Sequence, residues 1–149
     1  EPIEFAGEKW TQCPLQKDSL HNTQTALAKK YGLNTIAGAH GRGLGQEHIM
    51  YGSNSGYQAI NLAFILGAGE IILLGYDMQK TGGKQHFFGD HPAGPMKVDS
   101  DYNGWLGNFE KLASDLAGKG VEVINCTRQT ALTCFKRMSL EDALSVTAP

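Results

Sequence analysis

The chain is short of cysteine, has no basic run and no long hydrophobic stretch, and each shortage removes a class of function. Cys13, Cys126 and Cys134 make an odd number without the Cys-x-x-Cys spacing of zinc or redox sites. They read as reduced thiols of a cytoplasmic protein. Asn125-Cys126-Thr127 fits a glycosylation sequon, but nothing else in the chain suggests secretion. With 13 Lys and Arg against 15 Asp and Glu, the net charge is −2, which offers no electrostatic footprint for nucleic acid or an anionic membrane. No segment approaches the roughly 18 apolar residues of a membrane span, and the first residues lack signal-peptide architecture. The lysine of a phosphate-binding P-loop is also missing, so a P-loop ATPase is excluded.

What is present is glycine, 19 in 149 residues, which implies many sharp turns. A chain of this length is enough for one domain with a real core. Because it opens on Glu1 and not on Met, it is expected either to have lost a leader or to be a segment of something longer.

Hydrophobic periodicity orders the chain. A short strand is expected around Ile3–Phe5, then a helix over Ser19–Tyr31 with Gly32 as its left-handed cap, then a strand over Leu33–Ala37. The run "GAHGRGLG", Gly38–Gly45, has Gly-x-Gly-x-Gly spacing, but no helical pattern follows it as a dinucleotide fingerprint would require. It reads as a loop, and a mobile one. Ser53 or Asn54 caps a helix reaching about Leu66, largely buried, with a small polar face at Gln58 and Asn61. "EIILLGYD" has the unbroken apolar character of a strand covered on both faces in a parallel sheet. Met78–Asp101 shows no period, and loops this long are usually functional or disordered. A second amphipathic helix runs Tyr102–Ala117 with Trp105, Phe109, Leu112, Ala113 and Leu116 on one face. "VEVIN" makes another buried strand, and Ser139 with Asp142 resembles a capping box opening a short terminal helix. Strands alternating with helices predict an open, mostly parallel Rossmann-like α/β sheet with helices on both faces.

Ligands of such sheets sit beyond the carboxyl ends of the strands, which selects four stretches. "GSNSG", Gly52–Gly56, sets small side chains and free amides at a helix start, where an anion is favoured; a simple capping turn explains it equally well. Asp77 ends the most apolar strand, either as a ligand-contacting carboxylate or as a turn cap. "HFFGDHPAGP" brings His86, Asp90 and His91 beside two aromatics. A histidine titrating near neutrality suits acid–base chemistry, whereas the spacing matches no standard metal site, and a structural loop is the plain alternative. "NCTRQTALTCF" would put Asn125, Thr127 and Arg128 on the same rim, with Arg128 placed to pair with phosphate or simply solvated.

Taken together, "YGSNSGYQAINLAFILGAGEIILLGYDMQ", the "HFFGDH" loop and "VEVINCTRQTALTCF" with "SLEDAL" resemble a group of phage and prophage proteins. Those are similar in turn to the bacterial lipo-oligosaccharide sialyltransferases, the motility accessory factors that glycosylate flagellin, and hydroxymethylpterin diphosphokinase-like proteins. The resemblance spans essentially the whole chain for the phage group. For the enzymes it spans only the serine-glycine helix start, the "LLGYD" strand and the later Asn-containing strand. It implies a transferase of mobile-element origin with Asn54, Ser55 and Gly56 on the nucleotide; Ser53, Asp77, Asn125, Thr127 and Arg128 join the expected nucleotide contacts from their places at the helix start and the strand ends. His91, or else His86, would be the base on the acceptor hydroxyl. Tyr57 and Tyr76 would offer hydroxyls to the leaving phosphate. The expected donor is a CMP-sugar type nucleotide-sugar, with no cofactor and no metal. The relatives begin with a further strand and glycine-serine turn, so residues 1–149 are expected to form a single α/β domain lacking that first β-α unit, a fragment or short version of a longer family. Two other readings stand beside this one. The first is a non-catalytic binding or assembly protein, a homo-oligomer through an exposed sheet edge. The second is a Mg²⁺-dependent pterin or nucleotide diphosphokinase with Asp77 and Asp90 as metal ligands.

Overall fold

A computed structural model of the protein describes residues 8–14, 19–84 and 101–146. Helices and parallel strands alternate as the periodicity requires: β1 (Trp10–Pro14), α1 (Ser19–Tyr31), β2 (Asn34–Ala39), β3 (Ile49–Met50), α2 (Ser55–Ile65), β4 (Glu70–Leu73), α3 (Tyr102–Gly118), β5 (Glu122–Asn125), β6 (Lys136–Arg137) and α4 (Leu140–Val146). The strands form two three-stranded sheets, in the orders β1-β2-β3 and β4-β5-β6. Every pairing within them is parallel. The result is an open α/β arrangement of Rossmann-like topology.

The principal core lies where α2 and α3 meet the second sheet. Tyr57 and Ile60 from α2, and Phe109, Leu112 and Leu116 from α3, gather with Leu73, Val123, Leu132 and Phe135 in one cluster. Phe109 is its hub, meeting the rings of Tyr57, Tyr76 and Phe135 edge-on at centroid separations of 5.4, 6.3 and 6.4 Å. Each fully buried side chain of this size contributes about 1.5–3 kcal/mol relative to exposure, so the cluster dominates the stability of this half. Helix α3 forms because its apolar residues recur at helical spacing and Asp101 caps its start, its carboxylate accepting from Gly104 N–H at 3.0 Å. It stops at Gly120, whose φ of +72° lets Val121 N–H turn back to Leu116 C=O.

Three expectations change in detail. The strand placed at Leu33–Ala37 is shifted to Asn34–Ala39, since its register is set by β1, from Trp10 opposite Asn34 to Pro14 opposite Gly38. Strand β4 is only half-covered along Glu70–Ile72 and becomes fully buried at Leu73, while Leu74 beyond it is 57% exposed; its apolar run is therefore not sealed on both faces. Asn61, assigned to a polar outer face of α2, is fully buried. The reason lies in the glycine-rich segment between β2 and β3. The strand expected at Ile3–Phe5 lies outside the described residues.

That glycine-rich segment is pinned. Gly43 N–H donates to Tyr57 Oη at 2.6 Å, Leu44 N–H to Asp115 Oδ2 at 3.0 Å and Gly45 N–H to Asn61 Oδ1 at 2.9 Å. Three consecutive amides thus meet acceptors from two helices, with Tyr57 and Asn61 one turn apart on α2. The expected mobile loop is a fixed crossover. Its Gly-x-Gly-x-Gly spacing does not make an anion cradle, because those amides are already consumed. The same bonds satisfy the buried side chain of Asn61, whose Nδ2 also reaches Tyr57 C=O.

Candidate functional site

A cleft of about 980 Å³ opens beyond the carboxyl ends of β4 and β5. One wall is the chain leaving β4, with Leu74, Gly75, Asp77 and Thr81. The other is the segment between β5 and α4, with Thr127, Arg128, Arg137 and Ser139 among its residues. Position follows from topology: parallel strands deliver the residues just after them to one rim.

The two walls are knitted together by backbone and hydroxyl groups. Cys126 N–H donates to Leu73 C=O and Ala131 N–H to Asp77 C=O. Tyr76 N–H donates to Thr127 Oγ1 at 2.9 Å, and Thr130 Oγ1 donates to Tyr76 C=O at 2.6 Å. Asn125, fully buried, folds the segment: its Oδ1 accepts from Thr127 N–H while its Nδ2 donates to Leu132 C=O at 3.1 Å. Asn125 therefore shapes the rim from beneath and does not reach the opening.

Asp77 Oδ2 accepts from Thr81 Oγ1 at 3.1 Å, which aims the carboxylate and leaves its second oxygen without a partner among the described residues. Arg128 is exposed and its guanidinium makes no hydrogen bond or ion pair among those residues. Arg137 differs, since its Nη2 donates to Thr127 C=O at 3.0 Å and Arg128 C=O at 3.2 Å. Across from it, Ser139 caps α4, accepting from Asp142 N–H at 3.0 Å and donating to Asp142 Oδ2 at 2.7 Å. The first of these bonds is the cap expected from the sequence, while the second joins the two side chains and does not reach the Ser139 N–H as a full capping box would. Cys126, in the same cleft, directs its thiol to Ser139 C=O. Burial pushes the Cys134 thiol up to about 11, so it stays protonated at neutral pH.

The helix start at Gly52–Gly56 is built differently from the cleft. Asn54 is the cap, its Oδ1 accepting from Tyr57 N–H at 3.1 Å. Ser53 sits at φ +58° in the left-handed region. Tyr76 lies over Gly56, where an added Cβ would stand 2.8 Å from Tyr76 Cε1, and its hydroxyl donates to Gly56 C=O at 3.0 Å. Burial raises the Tyr76 pKa and keeps that donor neutral. The Tyr57 hydroxyl, expected to be open to a phosphate, is enclosed: besides accepting from Gly43 N–H it donates to Gly43 C=O at 2.8 Å. Among the candidates at this corner, Ser55 lines a separate, mainly apolar groove of about 290 Å³ between α2 and the first sheet. Asp77, Thr127 and Arg128 thus come together, whereas Ser53, Asn54 and Gly56 do not line the cleft and Gly56 is joined to its wall through Tyr76.

His86, Asp90 and His91 lie outside the described residues. Among the described residues, no group of three or more His, Cys, Asp or Glu side chains is disposed to hold a metal ion, and no helix is long and apolar enough to cross a membrane. Arg137, Ser139 and Thr81 enter the cleft without having been expected from the sequence. The signal for Arg137 was weak, because a two-residue strand has no period to read. Comparison of the chain with protein-family models, with curated proteins and with solved structures gives no match.

Proposed function

We propose that the chain is a nucleotide-binding, transferase-like domain, most like a nucleotide-sugar glycosyltransferase of the CMP-sugar type, with its ligand in the cleft beyond β4 and β5. The observation that carries this reading is the convergence of Asp77, Thr127 and Arg128, from two strand ends, on one opening at the carboxyl side of a parallel sheet. A cleft of about 980 Å³ suits a ligand of nucleotide size, since small-molecule sites run to roughly 1,000 Å³. The guanidinium groups of Arg128 and Arg137 on the rim favour a phosphate. The second Asp77 oxygen favours a sugar hydroxyl, which a carboxylate accepts from readily.

In this reading Ser53, Asn54, Ser55 and Gly56 meet the nucleotide from the far side of Tyr76, and His91 or His86 serves as general base. The acceptor oxygen forms its bond to the donor's sugar carbon as the bond from that carbon to the phosphate oxygen breaks. The nucleotide leaves with the electron pair, and the histidine takes the acceptor's proton. The resemblance to phage and prophage proteins supports a mobile-element origin. The free thiols of Cys126 and Cys134 support a cytoplasmic setting.

Thermal-shift titration against cytidine, uridine and adenosine nucleotides, with and without Mg²⁺, tests the proposal, because a specific ligand stabilises by mass action. A shift with a cytidine nucleotide that does not need Mg²⁺ is expected, and His91→Ala should retain it while losing transfer. The absence of a shift with any nucleotide would favour the assembly reading, and an adenosine shift that requires Mg²⁺ would favour the diphosphokinase.

A further inference from the structure

We infer that Arg137, and not the unbonded Arg128, is the anchoring cation of the cleft, and that the group it takes is the phosphate or diphosphate of the ligand; this rests on the nucleotide reading above for the rest of the ligand, but not for the anion itself. Parallel pairing of Asn125 with Arg137 places Arg137 at the carboxyl end of the β5-β6 ladder, on the cleft. Its Nη2 bridges the carbonyls of Thr127 and Arg128. Those two bonds fix the plane of the guanidinium.

The consequence is preorganisation. An arginine has five N–H donors, and the two bonds engage one nitrogen, so the three N–H groups on Nε and Nη1 remain for a ligand. Among the described residues no carboxylate forms an ion pair with it: the two ion pairs there are Lys111 with Asp115 and Lys136 with Glu122. The charge is without an ion-pair partner among the described residues, oriented and beside open space, in a cleft that also holds Asp77 and Glu141. A cation held in this way offers charge-assisted N–H donors to a phosphate oxygen, and the side-chain entropy that binding would otherwise cost is already lost in folding. Arg128 has no such support. Its backbone carbonyl is part of the rest on which Arg137 lies, while its own guanidinium is exposed and unbonded among the described residues.

Heteronuclear NMR titration of the intact chain with inorganic phosphate, pyrophosphate and CMP tests the assignment, comparing wild type with Arg137→Gln, Arg137→Lys and Arg128→Gln. Phosphate and pyrophosphate should shift the resonances around Thr127, Arg137 and Ser139. Arg137→Gln should weaken pyrophosphate binding about tenfold or more, corresponding to about 1.4 kcal/mol, and Arg128→Gln by less than about threefold. Arg137→Lys keeps the charge and a donor for the carbonyls but loses the planar guanidinium and its remaining N–H groups; it should fold like wild type and still bind more weakly than Arg128→Gln, so the test survives if Arg137→Gln does not fold. Equal affinity across the variants, a larger loss at Arg128, or no binding of either inorganic anion by wild type would overturn the inference. Binding of pyrophosphate but not of any nucleotide, with the loss at Arg137, would uphold the anion site and defeat the nucleotide reading. Binding of CMP that ignores Arg137 would do the reverse.

Discussion

The hydroxyl of Tyr57 and the backbone of Gly43 bond each other twice, the oxygen accepting from Gly43 N–H at 2.6 Å and donating to Gly43 C=O at 2.8 Å. A helix side chain thereby takes the place of a neighbouring strand for one residue of the crossover. Tyr57→Phe leaves both Gly43 groups without their partner in a buried site, which costs about 1–3 kcal/mol. Urea unfolding should show a lower midpoint with an unchanged slope, and exchange of the Gly43 amide should accelerate more than that of Leu116. An unaltered midpoint would mean that water replaces the hydroxyl without loss.

The same tyrosine sets an alkaline limit. Burial raises its pKa above the ordinary value of 10.0, so the folded state holds the proton more tightly than the unfolded one. The resulting stability is complete below about pH 10 and declines as the pH rises through the folded value. In Tyr57→Phe this part of the alkaline decline should be absent, as thermal melts between neutral pH and about pH 11 would reveal.

Asp115 gives the acid counterpart. Its hydrogen bond from Lys111 is the main cause holding its pKa below the ordinary 3.8; burial, next in size, opposes it, and Leu44 N–H adds to the lowering. A depressed carboxylate stabilises the fold above its unfolded pKa and loses that contribution as the pH falls through the folded value. The difference in melting temperature between wild type and Asp115→Asn should therefore be present near neutrality and shrink below about pH 3.8. A difference that stays constant into acid would deny the carboxylate this role.

Two glycines should respond in opposite directions to alanine. At Gly45 a Cβ would stand 1.8 Å from His48 C=O oxygen, which forces the backbone of the pinned crossover to move. At Gly107, inside α3, a Cβ meets nothing within 4 Å. Gly45→Ala should cost more than about 2 kcal/mol, whereas Gly107→Ala should gain about 0.5–1 kcal/mol through helix propensity. Denaturant melts of the two variants measure both.

Asp77 separates nucleotide from bare anion. If its free oxygen accepts from a ligand hydroxyl, Asp77→Asn should weaken nucleotide binding about five- to tenfold, close to the net value of one hydrogen bond, and leave inorganic phosphate binding unchanged. Parallel titrations of the two ligands decide it.

Much of this architecture was legible because it is periodic. The bounds of α1 were given by its helix formers and Gly32, those of α3 by an apolar face ending in glycine, and β5 by a compact apolar run. What escaped were tertiary events. Two-residue strands such as β3 and β6 carry no period, so the return of residues 126–135 that brings Arg137 to the cleft left no local trace. Asn61 looked like a solvent-facing residue because a buried amide and an exposed one leave the same mark on a helical pattern; only Gly45 N–H, 16 residues away, distinguishes them. For the site, Asp77, Thr127 and Arg128 could be placed from the strand-end rule, while the roles of Asn125 and Tyr57 as internal acceptors depended on partners distant in sequence.

The bonds that join Tyr76 to Thr127 and Thr130 close chain separations of 51 and 54 residues. Ordering such distant segments loses much chain entropy before any contact compensates for it. The opening at the sheet's rim therefore depends on the parallel pairing of β4 with β5, which brings the same two segments together. In the finished protein those few contacts open together, so the binding rim and the turn at Tyr76 should lose and regain order as one unit while the aromatic hub at Phe109 stays closed.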